Sequence, residues 1–229
     1  MSLLPETFNW FPVFLSLKVA LFASLIALLL GVGLGWLLAR KNFFGRGLLE
    51  AILMLPLVLP PTVVGYAILV LGGRQSALGG WLYRYFDYSI IFNWHGAVIA
   101  SSVVALPLIL KTATVAFRNT DKTLEAASFT LGQSRFSTFI RITLPLAWPA
   151  ILGGCLLAFA RAMGEFGATL MVAGSIPGKT ETLSMAIYNA SQSGQDSLAL
   201  SYVAIAAVVS ISILLISNRY LERNTAAPL

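Results

Sequence analysis

The chain has 229 residues, of which 58% are hydrophobic and only 10% charged. Soluble domains carry roughly 25% charged residues, so composition excludes a water-soluble globular protein and indicates an all-α integral membrane protein. The formal net charge of +6 is no nucleic-acid footprint, because the basic residues stand between apolar spans rather than along one face.

Met1 to Trp10 reads as a short amphipathic lead, with Trp10 and Phe11 suited to a membrane interface. No basic segment precedes the first apolar run, so no cleavable signal peptide is expected. The first span covers about residues 12–38. Lys18 near its start is placed to snorkel to the surface. Gly31, Gly33 and Gly35 give it a small-residue face for helix packing.

The second span, about residues 48–71, contains Pro56, Pro60 and Pro61. Each removes a backbone donor and displaces a carbonyl one turn back. Broken backbone at membrane depth belongs inside protein or beside a water-filled path; the plainer alternative is a kinked helix. Gly72 to Asn93 reads as an interfacial loop rich in aromatic residues, including Trp81, Tyr83, Tyr85 and Phe86. The third span covers about residues 94–117. His95, the only histidine, has no Cys, Asp or Glu at ligand spacing, and no metal or cofactor is expected. The fourth and fifth spans cover about 147–172 and 198–216, the fifth followed by Arg219 and Arg223. Lone Cys155 lies in an apolar run and reads as a small core residue.

Five spans put the termini on opposite sides. Ten Lys and Arg residues fall on one side, and three (Arg74, Arg84 and Lys179) on the other. The first side is therefore cytoplasmic, with the N-terminus outside and the C-terminus inside. The whole chain, 1–229, is read as a single transmembrane domain.

Between the third and fourth spans lies the one long polar and basic interruption, residues 121–145. Thr123 can cap a short helix begun by Glu125, Ala126 and Ala127. Gly132 ends it where a left-handed residue is cheap. Arg135, Phe136, Phe139, Ile140 and Arg141 then recur at helical spacing, and Pro145 marks a fresh start. The order Glu-Ala-Ala, Gly132, nine residues and Ile142-Thr143-Leu144-Pro145 resembles the EAA loop of ABC-importer permeases. One departure is that four residues rather than three separate Ala127 from Gly132, so Glu125 sits one position early. The resemblance implies a coupling helix that docks on a separate ATPase subunit, with Glu125, Ala126, Ala127, Gly132, Ile142, Leu144 and Pro145 as coupling residues.

Arg161 and Glu165 are charges inside the fourth span, four residues apart and able to pair on one helix face. Charge at membrane depth is a functional candidate by default. Arg161 lies roughly 24 Å beyond Pro145 at 1.5 Å per residue. The pair reads either as a gate for a passing anion or as a structural ion pair. Gly178-Lys179-Thr180 resembles the end of a phosphate-binding loop, but Ala173 occupies the position that needs the earlier glycine. The chain thus has no nucleotide site of its own. An enzyme is not expected either: His95 has no acid partner and no nucleophile elbow is present.

Further resemblance rests on Leu55 to Tyr66, similar to molybdate permeases of the ModB type. Ala158 to Thr169 and Ile176 to Thr182 are similar to molybdate, tungstate and sulfate permeases. It implies a type I ABC importer permease fold in the bacterial cytoplasmic membrane. It also implies two ATPase subunits, a periplasmic oxyanion-binding protein and a second copy of this chain. Pro56, Pro60, Pro61, Arg161 and Glu165 become pathway or gate residues, with Thr182–Ser191 helical and facing the binding protein. Fused ATPase or regulatory domains are not expected, since the chain ends soon after its last span. Sulfate, thiosulfate or tungstate transport, and a non-transport membrane scaffold, stand as alternatives.

Overall fold

The computed structural model describes residues 8–225, apart from the side chains of 217, 218 and 220–225. Most of the amphipathic lead and the Arg223 side chain lie outside the described residues. Among the described residues every regular element is helical. Helix α1 is Phe11–Arg40, α2 Arg46–Val58, α3 Pro61–Gly72, α4 Ala77–Phe86 and α5 Trp94–Asn119. Helix α6 is Lys122–Thr130 and α7 Arg135–Thr138, which passes through a π turn at Phe139–Thr143 into α8, Leu144–Met163. Helix α9 is Gly167–Ala173, α10 Leu183–Gln192 and α11 Asp196–Thr225.

Among the described residues, four continuous segments are long and apolar enough to cross a bilayer: Phe11–Arg40, Trp94–Asn119, Arg135–Met163 and Asp196–Ile216. The pair α2 and α3, bent by 114° at Leu59–Pro60, makes a fifth if counted as one span.

Helices α1 and α5 form the central pair, because one stripe of α1 is built from small residues. Ala20, Ala23, Ala27, Gly31 and Gly35 recur every three or four positions and are buried. They let the α5 backbone approach closely, which in lipid substitutes for a hydrophobic driving force between helices. A Cβ on Gly31 would stand 2.8 Å from Ile109 Cγ2, and one on Gly35 2.9 Å from Ala113 Cβ. Gly33 faces the opposite way, and a Cβ there would meet nothing within 4 Å. Ala158, Ala162 and Met163 of α8, Leu183 and Ala186 of α10, and Tyr202 of α11 complete this core. Leu183 N donates to the buried Ser16 Oγ at 2.7 Å, which pins α10 to α1.

Several local expectations are corrected. Residues 72–93 are not only loop. Ser76 Oγ accepts from Gly79 N at 2.9 Å and caps α4, whose Trp81, Tyr85 and Phe86 are exposed. The segment 147–172 is not one helix, since it breaks between Met163 and Gly167. Pro145 stands in the first turn of α8, but the π turn ahead of it joins α7 to α8, so the rod is continuous from Arg135 to Met163. Lys18 is exposed near the start of α1 and has a further contact. Its Nζ sits 3.7 Å from the Trp94 ring centroid, a cation–π contact.

Candidate functional site

Two groups of sequence-selected residues occupy different ends of the structure. The first is the loop between α5 and α8. Asp121, not Thr123, caps α6: its Oδ1 accepts from Thr123 N at 2.8 Å and from Thr123 Oγ1 at 2.7 Å. These bonds hold the Asp121 carboxyl below its usual range. Glu125 points back toward the bundle. Its Oε1 accepts from Arg40 Nη2 at 2.5 Å and from Thr143 Oγ1 at 2.6 Å. One carboxylate thus ties the end of α1, the loop helix and the π turn together. Ser128 and Thr138 hydroxyls add a buried 2.9 Å bond between α6 and α7.

Ala126 and Ala127 are exposed, as are Leu131 and Phe129 beyond them. Gly132 has φ +79°, so the reversal between α6 and α7 uses a left-handed residue. Ile142 and Leu144 are half-buried and Pro145 exposed. Phe139 packs edge-on to Trp36 at 5.8 Å and lies 5.9 Å from Phe117, anchoring the loop's second helix on α1 and α5. The loop is therefore a fixed base carrying one outward-facing short helix. Nothing in the sequence signalled Arg40 and Thr143 as the partners of Glu125, because they are 85 and 18 residues away.

The second group surrounds two helix breaks. Glu165 lies just past the end of α8, so its pair with Arg161 bridges the break rather than a continuous helix face. Arg161 Nη1 stands 2.7 Å from Glu165 Oε2 in a charge contact without hydrogen-bond angles. The other oxygen, Oε1, accepts from Ala168 N at 2.8 Å, so Glu165 also satisfies the first turn of α9. Glu165 is 2% exposed, while Arg161 is half-buried. The break in α2–α3 packs on the same place. A Cβ on Gly167 would lie 3.1 Å from Pro61 Cβ, and one on Gly65 2.8 Å from Ala168 Cα. Pro61 therefore adjoins α9, with Pro60 preceding it as the cap of α3, whereas Pro56 sits inside α2 one turn earlier.

Two interrupted helices thus meet beside a charge pair with one buried partner, and a rigid loop carrying an outward-facing short helix lies at the other end, an arrangement in keeping with the permease class of ABC importers. The comparisons agree. Residues 31–226 match the family described as binding-protein-dependent transport system inner membrane component, and the chain belongs to it. It is 45% identical over 218 residues to a molybdenum transport system permease protein of Bacillus subtilis, named as putative, covering 93% of this chain and 96% of that one. It is 44% identical over 211 residues to the molybdenum transport permease ModB of Escherichia coli, covering 92% of each. The sulfate transport permease CysT of Escherichia coli is 34% identical over 76% of this chain and 62% of its own length. Among solved structures, the fold resembles the inward-facing MetNI methionine transporter, with TM-score 0.73, 16% identity and coverage of 96% and 99%. It also resembles a bacterial alginate importer, with TM-score 0.69, 19% identity and coverage of 92% and 79%. The chain is thus a multi-pass inner-membrane transport subunit of the type I importer fold. It works with a separate ATPase and a substrate-binding protein.

Proposed function

We propose that this chain moves molybdate across the cytoplasmic membrane by alternating access. The carrying observation is near-full-length similarity to molybdenum transport permeases at 44–45% identity, against 34% to a sulfate permease over a shorter stretch. The loop 121–145 lies on the cytoplasmic side, supported by the Lys and Arg count, with the N-terminus outside and the C-terminus inside. The complex holds two copies of this chain and two ATPase subunits. Helix α2 has no buried residue, and it presents Leu55, Leu57 and Val58 outward, as a face for the second copy or lipid would.

Ala126 and Ala127 meet the ATPase, while Gly132 sets the angle at which they are presented. Glu125, Ile142, Leu144 and Pro145 transmit its movement into α1 and α8. The residues 1–229 act as one transmembrane domain. At the pathway, Pro56, Pro60 and Pro61 keep α2–α3 bent and Arg161 faces the passing oxyanion. Pairing with Glu165 keeps Arg161 from holding a doubly charged anion too tightly, since a conducting site has to bind weakly enough to release. Helix α10 and the loop preceding it face the periplasmic oxyanion-binding protein.

Sulfate, thiosulfate or tungstate is the second reading, favoured by the CysT similarity. The test is co-assembly with the ATPase followed by comparison of ATP hydrolysis and uptake in Gly132→Asp. Hydrolysis without uptake is expected. Normal coupled uptake would remove the docking assignment and leave a membrane scaffold or a different docking surface.

A further inference from the structure

An apolar slot of about 380 Å³ opens on the outer face of the bundle between α1 and the α7–π-turn segment. Gly33, Trp36, Phe136 and Phe139 wall it, with Arg135 at its rim. A second, polar recess of about 210 Å³ adjoins it and shares Trp36, Phe139 and Arg135. Lys41 and Arg40 line this recess, together with Glu125. Arg40 is already neutralised by Glu125 at 2.5 Å. Among the described residues neither Lys41 nor Arg135 lies within ion-pair distance of a carboxylate. The site therefore offers two free cations directly next to a groove that has almost no polar surface.

Depth narrows the occupant. Gly33 lies seven residues before Arg40, so the slot reaches roughly 10 Å along α1 from the basic recess into the hydrocarbon. A soluble subunit docking on the loop does not reach that depth. The open space at Gly33 is what makes the groove, since a Cβ there meets nothing. Juxtamembrane Lys and Arg attract anionic headgroups, and basic pockets between membrane helices hold them selectively.

We infer that this seam is a binding site for an anionic phospholipid of the leaflet bordering the loop. Its phosphate sits between Lys41 and Arg135, and one acyl chain lies against Gly33, Trp36 and Phe136. The lipid would brace the same loop base that Glu125 ties together.

The test uses the full chain in phosphatidylcholine vesicles containing a brominated lipid, with Trp36 emission obtained by subtracting a Trp36→Phe variant. Brominated phosphatidylglycerol should quench Trp36 at a mole fraction on the order of tenfold lower than brominated phosphatidylcholine. The preference should vanish in Lys41→Gln/Arg135→Gln, and quenching by both lipids should weaken in Gly33→Leu. Inorganic phosphate should leave the preference unchanged. Equal quenching by the two lipids, or a preference that survives loss of both cations, would overturn the site. Abolition by phosphate would show a free-anion pocket instead. Absence of any Trp36 quenching would show that a second protein surface covers the slot. The lipid comparison needs only the wild-type chain and the conservative Trp36→Phe reference, so misfolding of Lys41→Gln/Arg135→Gln or Gly33→Leu does not leave the question open.

Discussion

Glu125 receives hydrogen bonds from two side chains that are remote in sequence, and both its oxygen and the Arg40 guanidinium are largely shielded from water. Removing one partner leaves the other poorly satisfied, at a cost of about 1–3 kcal/mol. Glu125→Gln and Arg40→Gln should each lower the unfolding temperature in detergent. The double variant should lose less than the sum, giving a measurable coupling energy; strict additivity would mean the contact contributes nothing. The Arg161–Glu165 pair calls for a harsher version of the same experiment. Glu165 is buried while Arg161 is half-buried, so removing the cation strands a shielded carboxylate at a cost below the ~3–5 kcal/mol of a fully buried pair. Arg161→Ala should therefore be less stable than Arg161→Ala/Glu165→Gln, where no charge is stranded. The reverse order would show that Glu165 has another cation as its partner. At this scale the sequence revealed that Arg161 and Glu165 could pair through their spacing. It could not reveal that Glu165 accepts from Ala168 N in the first turn of α9, because that depends on where α8 stops.

Helices α1 and α5 depend on backbone approach rather than on large side chains. Gly35→Leu should drive α5 away and destabilise the bundle by about 1–3 kcal/mol. Gly33→Ala, two residues earlier and facing open space, should be near neutral. Thermal denaturation of the two variants side by side checks the assignment; equal destabilisation would contradict it. The glycine stripe was visible in sequence, but which glycines face α5 was decided only by the packing. The loop helix is similar. Its glycine turn was legible because only a residue tolerant of positive φ ends a helix so abruptly, and Gly132 does have φ +79°. The continuous rod from Arg135 through Pro145 was not legible. Pro145 does stand in the first turn of α8, as a starting proline would, but the π turn that joins α8 to α7 carries no sequence signature of its own. Helix α4 was missed because its aromatic residues fit an interfacial loop equally well.

On the scale of the whole molecule, the two helix breaks and the loop 121–145 sit on one framework. The rod α7–α8 runs from the loop to the Arg161–Glu165 break without interruption of its backbone path. Under the proposed coupling role, motion delivered at the loop would have a mechanical route along this rod to the place where α3 packs on α9. Pro60→Ala/Pro61→Ala should relax the 114° bend and lower the rate of uptake while leaving ATPase association intact. Loss of ATPase binding in that variant would show that the bend supports the loop rather than the path. Composition and apolar periodicity sufficed for a helical membrane protein, and the loop pattern sufficed for the importer class. The identity of the anion was only partly legible, because Ala158 to Thr169 and Ile176 to Thr182 resemble molybdate, tungstate and sulfate permeases alike.

The most direct test of the account is ATP-dependent uptake of labelled molybdate into vesicles carrying this chain with its ATPase and binding protein, with excess tungstate or sulfate as competitor. Uptake that is suppressed by tungstate, an oxyanion of nearly the same size, and untouched by sulfate is the expected result. Suppression by sulfate at comparable concentration would move the chain to a sulfate-class importer, and absence of ATP-driven uptake would contradict the transport assignment itself.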